Sequence, residues 1–314
     1  MIVPVYNVEK YIGECLDSLL SQTYPDIEVV AVVDASPDKS LEIIRGKQKD
    51  FTGGKSLVIK DLKENLGSGA VRDIGIAMAT GKYIFILDSD DYIHPLTIGK
   101  CVEAMQEADA DLVEVGFRMT KQRPGDMPFE DLAEPRKVTV EDKAEIEKRT
   151  EHVSWGKLYK KEMIERLGLK MRYRCFEDTL FTRLYALNSR RAVFIESPFY
   201  FYYQNPASLT STMSASKILL SMERAKEVEE AYKEFGLEER AGEYRRASGL
   251  SLRKFLLKAG GEKIEIPDRS KVWEESCRIV DRYNQNKLLF KIETYRKLGL
   301  KFTAKRLLAK LRLR

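Results

Sequence analysis

Gly81-Lys82-Tyr83-Ile84-Phe85-Ile86-Leu87-Asp88-Ser89-Asp90-Asp91-Tyr92 is the stretch on which the fold turns. Tyr83 to Leu87 are five apolar residues in a row, β-branched or aromatic except for the last. That composition belongs to a strand buried on both faces. The strand ends abruptly in three carboxylates within four positions. Carboxylates are costly to bury unless something cationic offsets them. At the C-terminal edge of a parallel strand, where α/β proteins bind ligands, a divalent metal with hard oxygen ligands is the natural candidate. A solvated acidic turn leading into the helix after His94-Pro95 is the competing reading of this stretch alone.

Working outward, a second buried strand also stops at an acid: Ile27 to Val33, then Asp34-Ala35-Ser36-Pro37-Asp38. Met1-Ile2-Val3-Pro4-Val5-Tyr6-Asn7 reads as a strand entering a loop, and Val8 to Gln22 has helical apolar spacing. Leu57 to Lys60 reads as a third strand, and a helix starts near Ser40. Asn65-Leu66-Gly67-Ser68-Gly69-Ala70-Val71-Arg72-Asp73 opens a helix running to about Ala79. The glycines alone indicate only a turn and helix start; Arg72 adds a guanidinium suited to phosphate. Strands alternating with helices predict a parallel, doubly wound α/β sheet with Asp34 and Asp88 facing one crevice.

Beyond this, a helix follows Pro95, Asp111 to Phe117 reads as a strand, and Lys121 to Thr139 reads as a polar loop or insertion. Ser154-Trp155-Gly156-Lys157-Leu158-Tyr159 precedes a short helix, and Cys175-Phe176-Glu177-Asp178-Thr179-Leu180-Phe181 begins another. Capping of that helix dipole is the plain account of Glu177 and Asp178. Ala192 to Ile195 and Phe199 to Tyr203 read as two strands, followed by a turn at Gln204-Asn205-Pro206-Ala207-Ser208.

The 314 residues are 33% charged and 43% hydrophobic, a soluble globular composition with enough chain for a large core. No apolar run reaches the length of a bilayer span, and the N-terminus shows no signal-peptide pattern. The four cysteines, Cys15, Cys101, Cys175 and Cys277, are scattered and fit neither a zinc nor a disulfide framework. They read as free thiols of a reducing, cytoplasmic compartment. The net charge of +5 is uneven, since residues 216–314 hold 25 Lys/Arg against 15 Asp/Glu. Such a basic end points to an anionic partner. Its last stretch, 287–314, carries basic amphipathic helices that could lie on an anionic membrane surface; packing helices with a solvated face fit the pattern equally well. No nucleic-acid-binding motif accompanies it.

Taken in order, these pieces resemble the family 2 glycosyltransferases of the glycosyltransferase A fold, over residues 1 to about 210. The resemblance rests on Val3-Pro4-Val5-Tyr6-Asn7, Val33-Asp34-Ala35-Ser36-Pro37-Asp38, Asn65-x-Gly67 with Ala70-Val71-Arg72-Asp73-x-Gly75, and Ala79-x-Gly81-x-Tyr83-Ile84 with Leu87-Asp88-Ser89-Asp90-Asp91. Trp155-Gly156-Lys157-Leu158-Tyr159 and Phe176-Glu177-Asp178 complete it. It implies an α/β, Rossmann-like nucleotide-diphospho-sugar transferase fold with a helical C-terminal extension. Residues 1–118 would form the nucleotide-sugar half, 119–213 the acceptor half, and 214–314 a helical, basic region.

The resemblance also implies roles. Pro4, Tyr6, Asp34, Asn65, Arg72, Asp88, Ser89 and Asp90 would hold a UDP-sugar, with Asp34 near the base. Asp90, helped by Asp88, would ligate Mn²⁺ or Mg²⁺, and Asp178 would be the general base of an inverting transfer. Trp155 and Glu177 would face the acceptor, a glycan, glycolipid or polyol-phosphate polymer; a core tryptophan is the alternative for Trp155. The chemistry is coherent, because a cation stabilises the departing diphosphate while a distant carboxylate deprotonates the acceptor hydroxyl. A peripheral position at the inner membrane face and a homo-oligomer are further expectations. A non-catalytic nucleotide-sugar-binding subunit of a glycan-assembly complex is the alternative function. Two departures stand out: Ala35 and Pro37 replace the commoner Gly and Thr, and no histidine follows the acceptor half. Gln204, Asn205 and Ser208 are the polar residues left there to close over a diphosphate.

Overall fold

The alternation of apolar residues along Ile2–Val5 and Ile27–Val33 divides the core into two layers. In the computed structural model, Val3, Val5, Val29, Ala31 and Val33 face one layer while Ile2, Val30 and Val32 face the other. The structure describes residues 1–123, 135–171, 178–205 and most positions between 228 and 244. The chain divides into two compact units, Met1–Ser208 and Leu209–Arg314.

In the first unit, β1 (Ile2–Val5), β2 (Ile27–Val33) and β3 (Lys55–Asp61) form a parallel sheet in the order β1-β2-β3. A parallel bridge between Ile2 and Ile86, with Leu87 N–H donating to Ile2 O at 3.0 Å, carries the sheet on to β4 (Tyr83–Phe85). From there the order continues β4, β8 (Lys157–Lys160), β6 (Leu112–Thr120), β9 (Ala192–Tyr203), with β5 (Tyr92–Ile93) and β7 (Lys137–Val140) both pairing with β9. Helices α1 (Ile12–Leu20), α2 (Ser40–Lys47) and α4 (Thr97–Glu107) pack in one layer. The other layer holds α3 (Ser68–Met78), α5 (Lys143–Arg149), α6 (Lys161–Arg166) and α7 (Asp178–Asn188). Helices on both faces of a sheet make this the expected α/β, glycosyltransferase A, Rossmann-like architecture.

Three sequence expectations change in detail. The sheet is mixed rather than wholly parallel, because β8 runs antiparallel to both β4 and β6, and β9 antiparallel to β5 and β7. Burial on both faces gives the same apolar run whichever way a strand points. The two strands read at Ala192 to Ile195 and Phe199 to Tyr203 are one kinked strand. Its register against β6 shifts at Gly116, opposite Ser197-Pro198. Pro198 has no N–H to give, and a Cβ on Gly116 would lie 2.7 Å from Ser197 O, so only glycine fits beside the bulge. The end of the Lys121 to Thr139 loop is β7, whose four residues are too few to stand out by alternation.

In the second unit the described residues between 228 and 244 are mostly helical, with a turn at Gly236 (φ 69°). Val228, Tyr232 and Ala241 are buried, and the Tyr232 and Tyr244 rings meet at 5.9 Å. The basic segment 287–314, and most of 214–314, lie outside the described residues. No described helix is long and apolar enough to cross a membrane.

Candidate active site

The loops after β1 and β2 are clasped together by a polar network the sequence places in two short runs. Asn7 N–H donates to Ser36 Oγ (2.8 Å), Glu9 N–H to Asp38 Oδ2 (2.8 Å) and Lys39 N–H to Glu9 Oε2 (3.0 Å). Burial works to raise the Asp38 carboxyl, but hydrogen bonds from Ser36, Ser40 and the Glu9 amide outweigh it and hold the group below its ordinary value. Asn7 (φ 56°) and Ala35 (φ 50°) take left-handed backbone to make these turns, Ala35 without the freedom glycine has there. Tyr6 is left 47% exposed at the mouth of the clasp, and Pro4 is half-buried on β1.

Asp34 is 3% exposed, and both its oxygens accept backbone amides: Leu66 N–H at 2.7 Å and Gly67 N–H at 2.9 Å. The Asn65 side chain donates to Asp34 O at 3.3 Å. The carboxylate expected beside a base is thus anchoring the glycine turn, with Gly67 at φ 87°, from which α3 starts. On α3, Arg72 is 6% exposed and its guanidinium donates to Asp88 Oδ1 at 2.6 Å. One turn further along, a Cβ on Gly75 would lie 2.5 Å from Ile2 Cγ2. Glycine there lets α3 approach β1 closely enough for Arg72 to reach across.

The acids after β4 do three different things. Asp91 is buried at 2% exposure; it accepts the Tyr200 hydroxyl (2.6 Å) and Tyr203 N–H (2.8 Å). Its carboxyl is pushed well above the ordinary range by burial, then by Asp90 and Asp88. Asp88 is taken on one oxygen by Arg72. Asp90 is half-buried and accepts the Asn205 amide at 3.1 Å; burial first, then Asp88, raises it, against the pull of Asn205 and Arg123. Ser89 is buried between them.

Among the described residues no three His, Cys, Asp or Glu side chains gather as a metal site. What exists is a pair of neighbouring carboxylates, Asp88 making the charge on Asp90 costly while being itself ion-paired with Arg72. That donor set suits a hard cation whose remaining ligands come with a substrate. Asp90 fits that position better than Asp88, one of whose oxygens is committed to Arg72.

Two further residues join this corner, Asn205 and Arg123. Asn205, one of the polar residues left to close over a diphosphate, bridges Asp90 to the Tyr11 hydroxyl (3.3 Å). Arg123 lies 4.8 Å from the Tyr11 ring centre and 4.9 Å from that of Tyr203, and pairs with Glu14 at 2.6 Å. These contacts join the start of α1 to the end of β9, a proximity that only the folded sheet creates.

The second half presents Asp178, half-buried in the first turn of α7. The chain leading to it is fixed at Met171, whose N–H is shared by both Asp73 oxygens (3.1 and 3.2 Å). Glu177 and Phe176 lie outside the described residues. Trp155 is 8% exposed, stacked on Tyr200 at 4.4 Å and meeting Phe117 edge-on at 5.2 Å. Its ring also meets that of Tyr202 at 5.6 Å. A groove of about 370 Å³ lined by Glu107, Lys137, Glu141 and Arg191 includes none of these site residues. Its cations are paired, Lys137 with Glu103 and Glu107, Arg191 with Glu141.

Comparison with known proteins agrees with this fold. The family model described as Glycosyl transferase family 2 matches residues 1–183. The uncharacterized glycosyltransferase EpsJ of Bacillus subtilis (strain 168) is 32% identical over 217 residues, covering 67% of this chain and 62% of that protein. The poly(ribitol-phosphate) beta-N-acetylglucosaminyltransferase TarS of Staphylococcus aureus (strain Mu50) is 27% identical over 211 residues, 64% of this chain and 35% of that protein. The chain therefore spans less than two thirds of the length of these relatives. The crystal structure of S. aureus TarS 1–349 with UDP-GlcNAc aligns with a TM-score of 0.69 at 21% identity, over 96% of this chain and 92% of that one. The mannosyltransferase PcManGT of Pyrobaculum calidifontis, with GDP-Man and Mn²⁺, aligns at 0.52 and 16% identity, over 95% and 84% of the two chains.

Proposed function

The chain belongs to glycosyl transferase family 2, and from that premise we propose that it is an inverting, metal-dependent glycosyltransferase. It moves a hexose or N-acetylhexosamine from a UDP-sugar to a glycan, glycolipid or polyol-phosphate acceptor. The observation that carries this reading is the meeting of Arg72 with Asp88 beside Asp90, where β4 ends next to β1. A guanidinium and a half-neutralised acid pair at a strand's C-terminal edge suit a diphosphate and its counter-ion.

In this account the β1 and β2 loops, with Pro4, Tyr6, Asp34 and Asn65, shape the nucleotide pocket. Asp34 acts there by fixing the Leu66-Gly67 turn rather than by spending its carboxylate on the base. Arg72 keeps Asp88 oriented, so that Asp90 would be left to hold the ion, Mn²⁺ or Mg²⁺. Bound there, that cation supplies charge neutralisation for the departing diphosphate. Asn205, on Asp90, takes the place of the missing histidine. On the other side of the sugar, Asp178 accepts the proton of the acceptor hydroxyl as its oxygen attacks the anomeric carbon. The bond from that carbon to the β-phosphate oxygen breaks, its electron pair leaves with UDP, and one displacement inverts the configuration.

Residues 1–118 are assigned to the donor and 119–213 to the acceptor; within the basic region 214–314, the segment 287–314 is assigned to an anionic membrane surface or to self-association. Trp155 supports the acceptor side through Phe117, whose ring is 40% exposed beside it, and Glu177 is assigned to the acceptor. The name of TarS supports a polyol-phosphate acceptor, and the PcManGT complex supports Mn²⁺ use.

The test is UDP release from UDP-sugars by purified protein with Mn²⁺. Transfer or hydrolysis of one of them, lost in Asp178→Asn, is expected. Binding without turnover, and no difference in Asp178→Asn, would leave the non-catalytic nucleotide-sugar-binding subunit instead.

A further inference from the structure

A charged pair that none of the roles above uses is buried under the start of α7. Lys157 is 1% exposed; its ammonium donates to Val153 O at 2.8 Å and stands 3.6 Å from Glu114 Oε2. The two residues are register partners on β8 and β6. The pair is imperfect, because Glu114 Oε1 accepts Glu151 N–H at 3.1 Å while Oε2 is buried without a hydrogen bond. Burial pushes the Glu114 carboxyl up to about 7 and pulls the Lys157 ammonium down. A buried pair of this kind is weak evidence for stability.

Helix α7 lies over it. Thr182 Oγ1 donates at 3.3 Å to Val153 O, the same carbonyl that takes the Lys157 ammonium. Asp178 is one turn earlier on the same face of α7, and its charge acts on both Lys157 and Tyr159. Other charges nearby are Glu114 from β6 and Glu151 from the loop before β8. On α7 itself, Arg183 is occupied by Glu147 and His152.

We propose that Lys157, held by Glu114, is a positioning residue that keeps the Asp178 carboxylate ionised and aimed, ready to take a proton at neutral pH. The inference rests on Asp178 being the base of the reaction proposed above. Because Glu114 Oε2 stands 3.6 Å from the ammonium without a hydrogen bond to it, it cancels only part of the Lys157 charge, and the remainder acts on Asp178.

The test reads Asp178 directly, without substrate. The 314-residue chain is treated with a water-soluble carbodiimide and glycine ethyl ester from pH 4 to 8, and labelling is measured by peptide mass spectrometry. Carbodiimide attacks the protonated carboxyl, so labelling follows ionisation. The double variant Glu114→Gln/Lys157→Met removes both charges at similar volume, whereas Lys157→Met alone would strand Glu114. Asp178 labelling at pH 6 should rise about tenfold in the double variant, the change made by moving a titration midpoint one pH unit. Exposed Asp50 should not change. Unchanged Asp178 labelling in the folded double variant overturns the role of Lys157. Should that variant not fold, the wild-type protein decides: an Asp178 midpoint below that of Asp50 supports the proposal, and one at or above it overturns it. The two readings fail separately, since full UDP release by Asp178→Asn would remove the base while leaving the labelling result standing.

Discussion

Replacing Gly75 by alanine sets two effects of opposite sign against each other. On helix propensity alone, alanine in the interior of α3 should stabilise by about 1 kcal/mol. The structure predicts otherwise, because the new Cβ would lie 2.5 Å from Ile2 Cγ2, with Ile2 Cδ1 and Val32 Cγ2 each at 3.5 Å. Carbon atoms pack at about 3.5–4.0 Å, so α3 and β1 must separate by roughly 1 Å. Ile2 cannot yield easily, being fully buried and branched at Cβ. Overpacking of this kind costs about 1–3 kcal/mol, which leaves a net loss of up to about 2 kcal/mol. For a domain of this size that lowers the melting temperature by about 2–4 °C per kcal/mol. Arg72 lies one turn away, and its 2.6 Å contact with Asp88 should stretch with the helix. Thermal unfolding and UDP titration of Gly75→Ala should therefore both show losses, with affinity down several-fold. In an Ile2→Ala background, itself destabilised by about 2–5 kcal/mol, the same substitution should cost nothing further. A Gly75→Ala protein more stable by about 1 kcal/mol and binding UDP normally would refute the reasoning.

Asp90 and Asp91 are both raised above the ordinary 3.8. An acid raised in the native state stabilises fully below its unfolded value and loses that contribution as pH rises through its folded one. Metal-free protein should thus melt lower at pH 8 than at pH 5, and Asp90→Asn should flatten the slope in scanning fluorimetry; an unchanged slope would contradict this. Trp155→Ala should destabilise by about 3–5 kcal/mol in urea, whereas a stable variant defective only with acceptor would mean the indole binds sugar. Asp38→Ala should cost about 1 kcal/mol but raise the donor KM several-fold at nearly unchanged kcat, by unclasping the β1 and β2 loops. Steady-state kinetics with the donor varied would check it.

The strands, their acid ends and the helix carrying Arg72 were legible because buried runs and abrupt carboxylates are local signals. The direction of β8 was not, since Lys157-Leu158-Tyr159-Lys160 reads the same in either sense. Asp34 was legible as an acid at a strand end but its partners were not, being two backbone amides beyond β3. The contacts of Asn205 with Asp90 and of Lys157 with Glu114 were not legible, for a shared reason. A polar residue in a turn, or a lysine beginning a strand, looks solvated until the fold brings Asp90 or Glu114 against it.

The central claim divides the work between Asp90, on the leaving group, and Asp178, on the attacking one. It is tested most directly by the thermal shift that UDP with Mn²⁺ produces in the wild type, Asp90→Asn and Asp178→Asn proteins, since a ligand of the native state raises its stability. The account predicts that the Mn²⁺-dependent shift disappears in Asp90→Asn and survives in Asp178→Asn. A full shift in Asp90→Asn, or its loss in Asp178→Asn, would contradict it.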